Sequence, residues 1–227
     1  MLHIWWTKMR VMVAPERWDP FATGPQRIPT VLLMFAFQLL YFPINRSGTN
    51  SPRVDLQIID SVMPLVGEFS LIYLAGVIGI TIMVFVGALA LPRELYMQFV
   101  VTLVFAMAIG FTIWALFPAH VYKAPFDPQN VFERWTQDYL HNDGDYGNHN
   151  AIPSSHVYYM TILLYFLTRR WPRQWFWFAL LAVLNAWSTL LTHQHYFLDV
   201  VAGFALTIFA IWFARKALTP LVREIYG

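Results

Sequence analysis

Long apolar runs separated by short polar breaks organise this 227-residue chain. Such runs predict helices that cross a bilayer, whose hydrocarbon core of about 30 Å takes roughly 20 helical residues. They fall at about Ile28 to Ile44, Phe69 to Leu91, Leu95 to Phe117, Pro153 to Thr168, Gln174 to Thr192 and Phe197 to Ala214. The first is at the short end of what spans. The second and third are uninterrupted by charge, with only Pro92-Arg93-Glu94 between them. Residues 45–67 read as a polar loop broken by Asn45, Ser47, Gly48, Asn50 and Pro52, within which Val54, Ile58, Ile59 and Val62 suggest a short amphipathic helix. The longest polar region, 118–152, is rich in Pro, Asp, Asn and His. Ahead of the first span, Leu2, Ile4, Trp5, Met9 and Met12 suit either a helix lying in the interface or an ordered cytosolic tail with incidental aromatics. The expected fold is therefore all-α: a six-helix membrane domain over 28–217, between an N-terminal cytoplasmic or interfacial segment (1–27) and a cytoplasmic tail (218–227).

Composition agrees with that pattern. The chain is 58% hydrophobic and only 12% charged, with a mean hydropathy of +0.48, where soluble domains carry about a quarter charged residues. The absence of cysteine excludes disulfides, thiolate chemistry and cysteine metal sites. Pro15, Glu16, Trp18, Asp19 and Pro20 interrupt the basic N-terminus before any long apolar run, unlike a cleaved signal peptide. Charge placement sets the orientation. With six spans, the side holding both termini and the 92–94 and 169–173 turns receives 11 of the 15 basic residues. The other side holds Arg46, Arg53, Lys123 and Arg134. Both termini are therefore expected in the cytoplasm, and the 118–152 loop in the periplasm, exterior or an organelle lumen.

Six of the seven histidines fall on that outer side: His120, His141, His149, His156, His193 and His195. His195 and Asp199 stand four residues apart at the mouth of the last span, which on a helix puts them on one face. Apolar segments rarely carry such a pair without a functional reason. A second pattern is Asn150-Ala151-Ile152-Pro153-Ser154-Ser155-His156. Pro153 reads as a first helical position, with Ser154 and Ser155 beside it, and a helix N-terminus suits a phosphate. The alternative is a capped helix with an interfacial histidine. His156 stands 14 residues before Arg170, roughly 21 Å of helix, and Asp199 16 residues before Arg215, roughly 24 Å. Two separate helices thus bring both residues to a similar depth near the outer head groups. Asp143-Gly144-Asp145, flanked by His141 and His149, lacks the spaced oxygen ligands and terminal glutamate of a calcium loop and has no zinc spacing; it reads as a solvated loop over the site. Glu68 is expected at the interface and Asn185 bonded to a neighbouring helix.

Together these motifs resemble the type 2 phosphatidic acid phosphatase superfamily of membrane phosphoesterases. Its second motif is matched by Pro153-Ser154-Ser155-His156. Its third, Ser-Arg-x5-His-x3-Asp, is matched by Ser188, His195 and Asp199 at the family spacing, with Thr189 where an arginine is expected. Phe117-Pro118 and Lys123-Ala124-Pro125 resemble the first. The run His195-Tyr196-Phe197-Leu198-Asp199-Val200-Val201-Ala202-Gly203 is most similar to the inositol phosphorylceramide and sphingomyelin synthase branch.

The resemblance implies a nucleophilic His195 held by Asp199, with His156 as general acid and base; imidazole, titrating near neutrality, suits both tasks. It implies substrate contacts from Lys123 and the N–H groups around Ser154 and Ser155, with Asn150, Arg134 and His193 completing the candidate set. No metal or cofactor is implied. Thr189 in place of arginine leaves less positive charge than a phosphomonoester favours, which leans toward a diester; Arg134 or His193 could replace the missing charge. The expected partners are a membrane lipid and the bilayer, with no nucleic acid, and the expected activity is phosphatase or head-group phosphotransferase. The competing reading is a transporter or scramblase that binds head groups without chemistry.

Overall fold

The computed structural model describes residues 19–47, 51–141 and 149–226. The predicted stripe at Leu2–Met12 and the Asp143-Gly144-Asp145 loop lie outside these residues. Ten α-helices are described: α1 (Ile28–Leu39), α2 (Tyr41–Ser47), α3 (Gln57–Asp60), α4 (Phe69–Ala90), α5 (Arg93–Leu116), α6 (Val131–Trp135), α7 (Ser155–Arg170), α8 (Trp175–Leu191), α9 (Phe197–Phe213) and α10 (Thr219–Tyr226). Among the described residues there is no β-sheet; Arg53 with His120 and Ala119 with Asn150 form isolated bridges.

Among the described residues, five segments are long and apolar enough to cross a membrane: Gly24–Asn45, Phe69–Ala90, Arg93–Leu116, Pro172–Leu191 and Phe197–Tyr226. The remaining predicted span, 153–168, corresponds to α7, which has only 16 residues. Its place explains its character. α7 packs against α4, α5, α8 and α9, and Tyr158, Ile162 and Phe166 are fully buried along it. A helix screened from lipid on all sides needs less hydrophobicity than one that faces it. α8 shows the contrast, presenting Trp175, Phe176, Trp177, Leu181 and Trp187 outward.

Local departures from the predicted boundaries have simple causes. The first span divides at Leu40, three residues before Pro43, whose missing N–H interrupts the helical ladder. The amphipathic helix of the 45–67 loop is a single turn, α3. Helix α7 starts at Ser155 rather than Pro153: Ser154 is its extended N-cap, and Pro153 lies before it in a cis peptide with Ile152. The 118–152 loop contains α6 and a π-type turn at Thr136–His141. Arg27, counted with the N-terminal basic residues, is buried. Its guanidinium donates to the carbonyls of Phe21, Ala22, Ala88 and Leu91 and lies 4.1 Å over the Tyr96 ring. It thereby caps the carbonyl end of α4.

Candidate active site

The N-termini of α7 and α9 meet at the end of the bundle opposite Arg27. What lets them approach is Gly203: a Cβ there would stand 2.9 Å from both the Ser154 carbonyl oxygen and Val157 Cβ. The closeness is used directly, because the Ser154 N–H donates to the Asp199 carbonyl at 3.0 Å. That bond ties the second motif to the third. It also commits one amide expected to hold phosphate, leaving Ser155, His156 and Val157 as the first-turn amides without an intrahelical acceptor.

Asp199 is fully buried. Its Oδ2 accepts the Tyr196 N–H at 2.9 Å and faces His195 Nδ1 at 3.2 Å. A carboxylate only accepts, so Nδ1 carries the proton of the neutral imidazole and Nε2 keeps its lone pair. The Asp199 partner Oδ1 is buried with no hydrogen-bond partner among the described residues. The ring of His156 lies 5.8 Å from that of His195, inclined at 64°. His156 Nε2 shares a 2.9 Å hydrogen bond with the Tyr73 hydroxyl of α4, and its Nδ1 is buried without a partner among the described residues. Asn185 Nδ2 of α8 donates to the His156 carbonyl at 2.9 Å, the interhelical bond expected of it. Opposite, Gly76 makes room: a Cβ there would stand 2.2 Å from Asn185 Oδ1. The predicted trio is therefore one cluster.

Around it the other candidates fall into two groups. Ser154 and Ser155 are buried at the start of α7, and the hydroxyl of Ser154 is unpaired among the described residues. Asn150 is also buried with its amide nitrogen unpaired, while its backbone bridges to Ala119. By contrast, Lys123 Nζ donates to the Leu140 carbonyl at 2.6 Å, the acceptor also taken by Gln194 Nε2 at 2.9 Å. His193 has a positive φ of 51°, donates from Nε2 to the Met63 carbonyl at 3.1 Å and stacks on His141. These two residues hold the loops over the site in place. Arg134 is exposed on α6. Thr189 is fully buried and donates its hydroxyl to the Ala186 carbonyl; its carbonyl accepts the N–H groups of Gln194 and His195. The position of the expected arginine is thus part of the helix interior. Glu68 is exposed at the start of α4.

Three residues that spacing did not point to also reach the site. Besides Tyr73, Asp60 Oδ1 accepts the Phe197 N–H at 2.9 Å, so two carboxylates serve the start of α9. Arg53 lies 5.2 Å over the Tyr196 ring and pairs with Asp55 at 2.6 Å. Tyr196 accepts the Tyr122 N–H on its hydroxyl at 3.0 Å, and burial pushes its phenol above the usual range. Among the described residues no cluster of three or more His, Cys, Asp or Glu side chains is placed to hold a metal.

No curated protein matches the chain. A family model described as the PAP2 superfamily matches residues 52–213, which takes in both motifs, the 118–152 loop and every helix from α3 to α9. A match over most of the chain, coinciding with the region that builds the His156–His195–Asp199 cluster, shows that the chain belongs to the PAP2 superfamily.

Proposed function

We propose that this protein is a membrane phosphatase or phosphotransferase that acts on a lipid phosphate ester through a phosphohistidine. The observation that carries this reading is the convergence of His156 on the His195–Asp199 pair. His195 Nε2 attacks phosphorus and forms a P–N bond while the P–O bond to the leaving alcohol breaks. His156 delivers a proton to the departing oxygen. In the second half, water or a lipid alcohol attacks phosphorus, His156 takes its proton, and the P–N bond breaks. Asp199 holds the tautomer and offsets the charge that grows on His195. The first-turn amides of α7 and the Ser154 hydroxyl stabilise the non-bridging oxygens.

Charge favours a diester. Thr189 places no cation at the phosphate; among the cations on this side whose side chains are described, Arg53 and Lys123 lie in loops, Arg134 is exposed on α6, and Arg53 already pairs with Asp55. A singly charged phosphate fits that supply better than a nearly doubly charged one. Together with the run at 195–203, this supports head-group transfer of the inositol phosphorylceramide and sphingomyelin synthase kind. The reading places the site on the outer leaflet with both termini cytoplasmic and α7 as a sixth, enclosed helix at membrane depth; Arg93, Arg169, Arg215 and Arg223 lie toward the opposite end, as that orientation requires.

The test uses phosphorus-labelled phosphatidylinositol and phosphatidate presented to the purified protein, with and without a diacylglycerol or ceramide acceptor. Wild type is expected to retain an acid-labile, alkali-stable label after denaturing quench, and His195→Ala to retain none, with turnover lower by at least about 10³-fold. Transfer only with acceptor assigns the transferase, and phosphate release without it the phosphatase. Turnover that survives His195→Ala intact would remove the phosphohistidine, and no turnover of either lipid by wild type would favour a non-catalytic lipid or solute carrier.

A further inference from the structure

A cleft of about 440 Å³ opens on the side of the bundle between α1–α2 and α4. One wall carries Phe35, Leu39 and Phe42, and the other Val77 and Ile80. Its inner end is formed by Tyr73, Ser155 and His156, so the cleft and the catalytic cluster share His156. The volume lies within the roughly 300–1,000 Å³ of small-molecule sites. The wall from α1 and α2 lies outside the family match, which begins at residue 52. One wall of the cleft is therefore supplied by helices that the family match does not cover.

The lining dictates the occupant. A concave apolar wall that faces the side of a membrane bundle is filled by hydrocarbon, since neither water nor a polar group is stabilised there. The end at His156 is polar, formed by Tyr73, Ser155 and His156. Gln38, an amide within an otherwise apolar helix, lines the same cleft. A polar side chain at such a position calls for a polar partner. A hydrocarbon chain with an ester or amide near its polar end satisfies all three features.

We infer that this cleft seats one hydrocarbon chain of the lipid whose oxygen His156 protonates or deprotonates, entering sideways from the bilayer. The inference rests on the proposed reading of the site and deepens it: the alcohol that leaves or accepts is lipidic, and α1 and α2 set the chain it carries. The Tyr73 hydroxyl, on His156 Nε2, fixes the imidazole at the boundary between cleft and cluster.

The test is photolabelling of the full chain in detergent with a diazirine-bearing hexadecyl phosphate, a readout independent of turnover. Labelled peptides are expected at 35–42 and 73–81. Leu39→Trp and Val77→Trp, filling the cleft from opposite walls, each lower labelling about tenfold. Leu32→Trp and Ile78→Trp, on outward positions of the same helices, leave it unchanged. In parallel, the two cleft-filling variants lower kcat/KM for a dioleoyl substrate about tenfold more than for its dihexanoyl form. Labelling spread over outward positions, or indifferent to Leu39→Trp and Val77→Trp, overturns the inference. Failure of the catalytic reading is seen separately, as turnover that survives His195→Ala, and leaves the labelling result to decide the cleft.

Discussion

The two ends of this bundle treat buried polar groups in opposite ways. At the Arg27 end a buried guanidinium is saturated: it donates five hydrogen bonds to four carbonyls and stacks on Tyr96. Beside it Arg93 pairs with Asp19 and donates to the Tyr226 carbonyl, and Arg223 pairs with Glu94; the Thr219 hydroxyl is a lone unpaired group nearby. At the other end His156 Nδ1, Asp199 Oδ1, Ser154 Oγ and Asn150 Nδ2 gather at the site with no hydrogen-bond partner among the described residues, and Ser70 Oγ and Trp114 Nε1 of the neighbouring helices are likewise buried and unpaired. Each unpaired buried group costs about 1–3 kcal/mol. The four at the site are the groups that a bound phosphate ester would pair. On the proposed reading the Arg27 end serves stability and the His156 end a ligand.

Substitutions that move activity and stability in opposite proportion test this contrast most severely. Asp199→Asn keeps the size of the side chain and an acceptor for the Tyr196 N–H, but no longer enforces the His195 tautomer. It is expected to lower kcat by about 10²–10⁴ while the melting temperature in detergent moves by no more than about 3 °C. Arg27→Leu is the converse. It strands four carbonyls, so the melting temperature falls by about 5 °C or more, with kcat per folded molecule within about twofold of wild type. Equal losses of activity and stability in both variants would erase the distinction between the ends.

A finer test removes an open group without breaking any bond. Ser154→Ala deletes a hydroxyl that has no partner among the described residues, so stability should stay level or rise, within about 1 kcal/mol. If that hydroxyl holds a phosphoryl oxygen, kcat falls about tenfold or more. Unfolding curves and turnover measured on the same preparation check both halves; a stability loss without a rate loss would make Ser154 an ordinary structural residue.

These contrasts also mark what the sequence made legible. Spans α4 and α5 could be read because they are apolar runs of 22 and 24 residues, respectively, so hydropathy alone reports them. Helix α7 was harder: it is enclosed by four neighbours, and its tyrosines and 16-residue length follow from that enclosure rather than from the bilayer. His195 and Asp199 were legible because their contact is local, one turn apart, and His156 because its motif is short. Tyr73, Asp60 and Arg53 come to the site from 83, 137 and about 140 residues away along the chain, and no periodicity encodes such contacts. Lys123 carried the right charge at a motif-like position, yet its ammonium serves the Leu140 carbonyl of the covering loop. That contact, 17 residues along the chain, is not announced by residue type. Gly203 lay in the quoted run, but its reason, close approach to Ser154, appears only when α7 and α9 are seen together.

The smallest effect concerns the layer that covers the site. His120 Nδ1 donates to the Ser51 carbonyl at 2.6 Å, and the Ser51 hydroxyl shares a 2.6 Å hydrogen bond with His149 Nδ1. The His149 N–H in turn donates to Asn45 Oδ1 at 3.1 Å. Burial, aided by His120, lowers the His149 pKa below the ordinary 6.5. The folded chain therefore binds a proton less readily than the unfolded chain. Stability from this group is complete above about pH 6.5 and declines as the pH falls below it, because only the unfolded state gains the proton. The layer joins Ala119, Ala151 and Tyr196, next to His195, so loosening it should lower turnover over the same range. Melting temperatures between pH 7.5 and 5.5 for wild type and His149→Gln check this, since the glutamine oxygen accepts from Ser51 without titrating. Wild type should lose more than His149→Gln on acidification; parallel losses would mean that the cover over the site is held by its apolar contacts rather than by this imidazole.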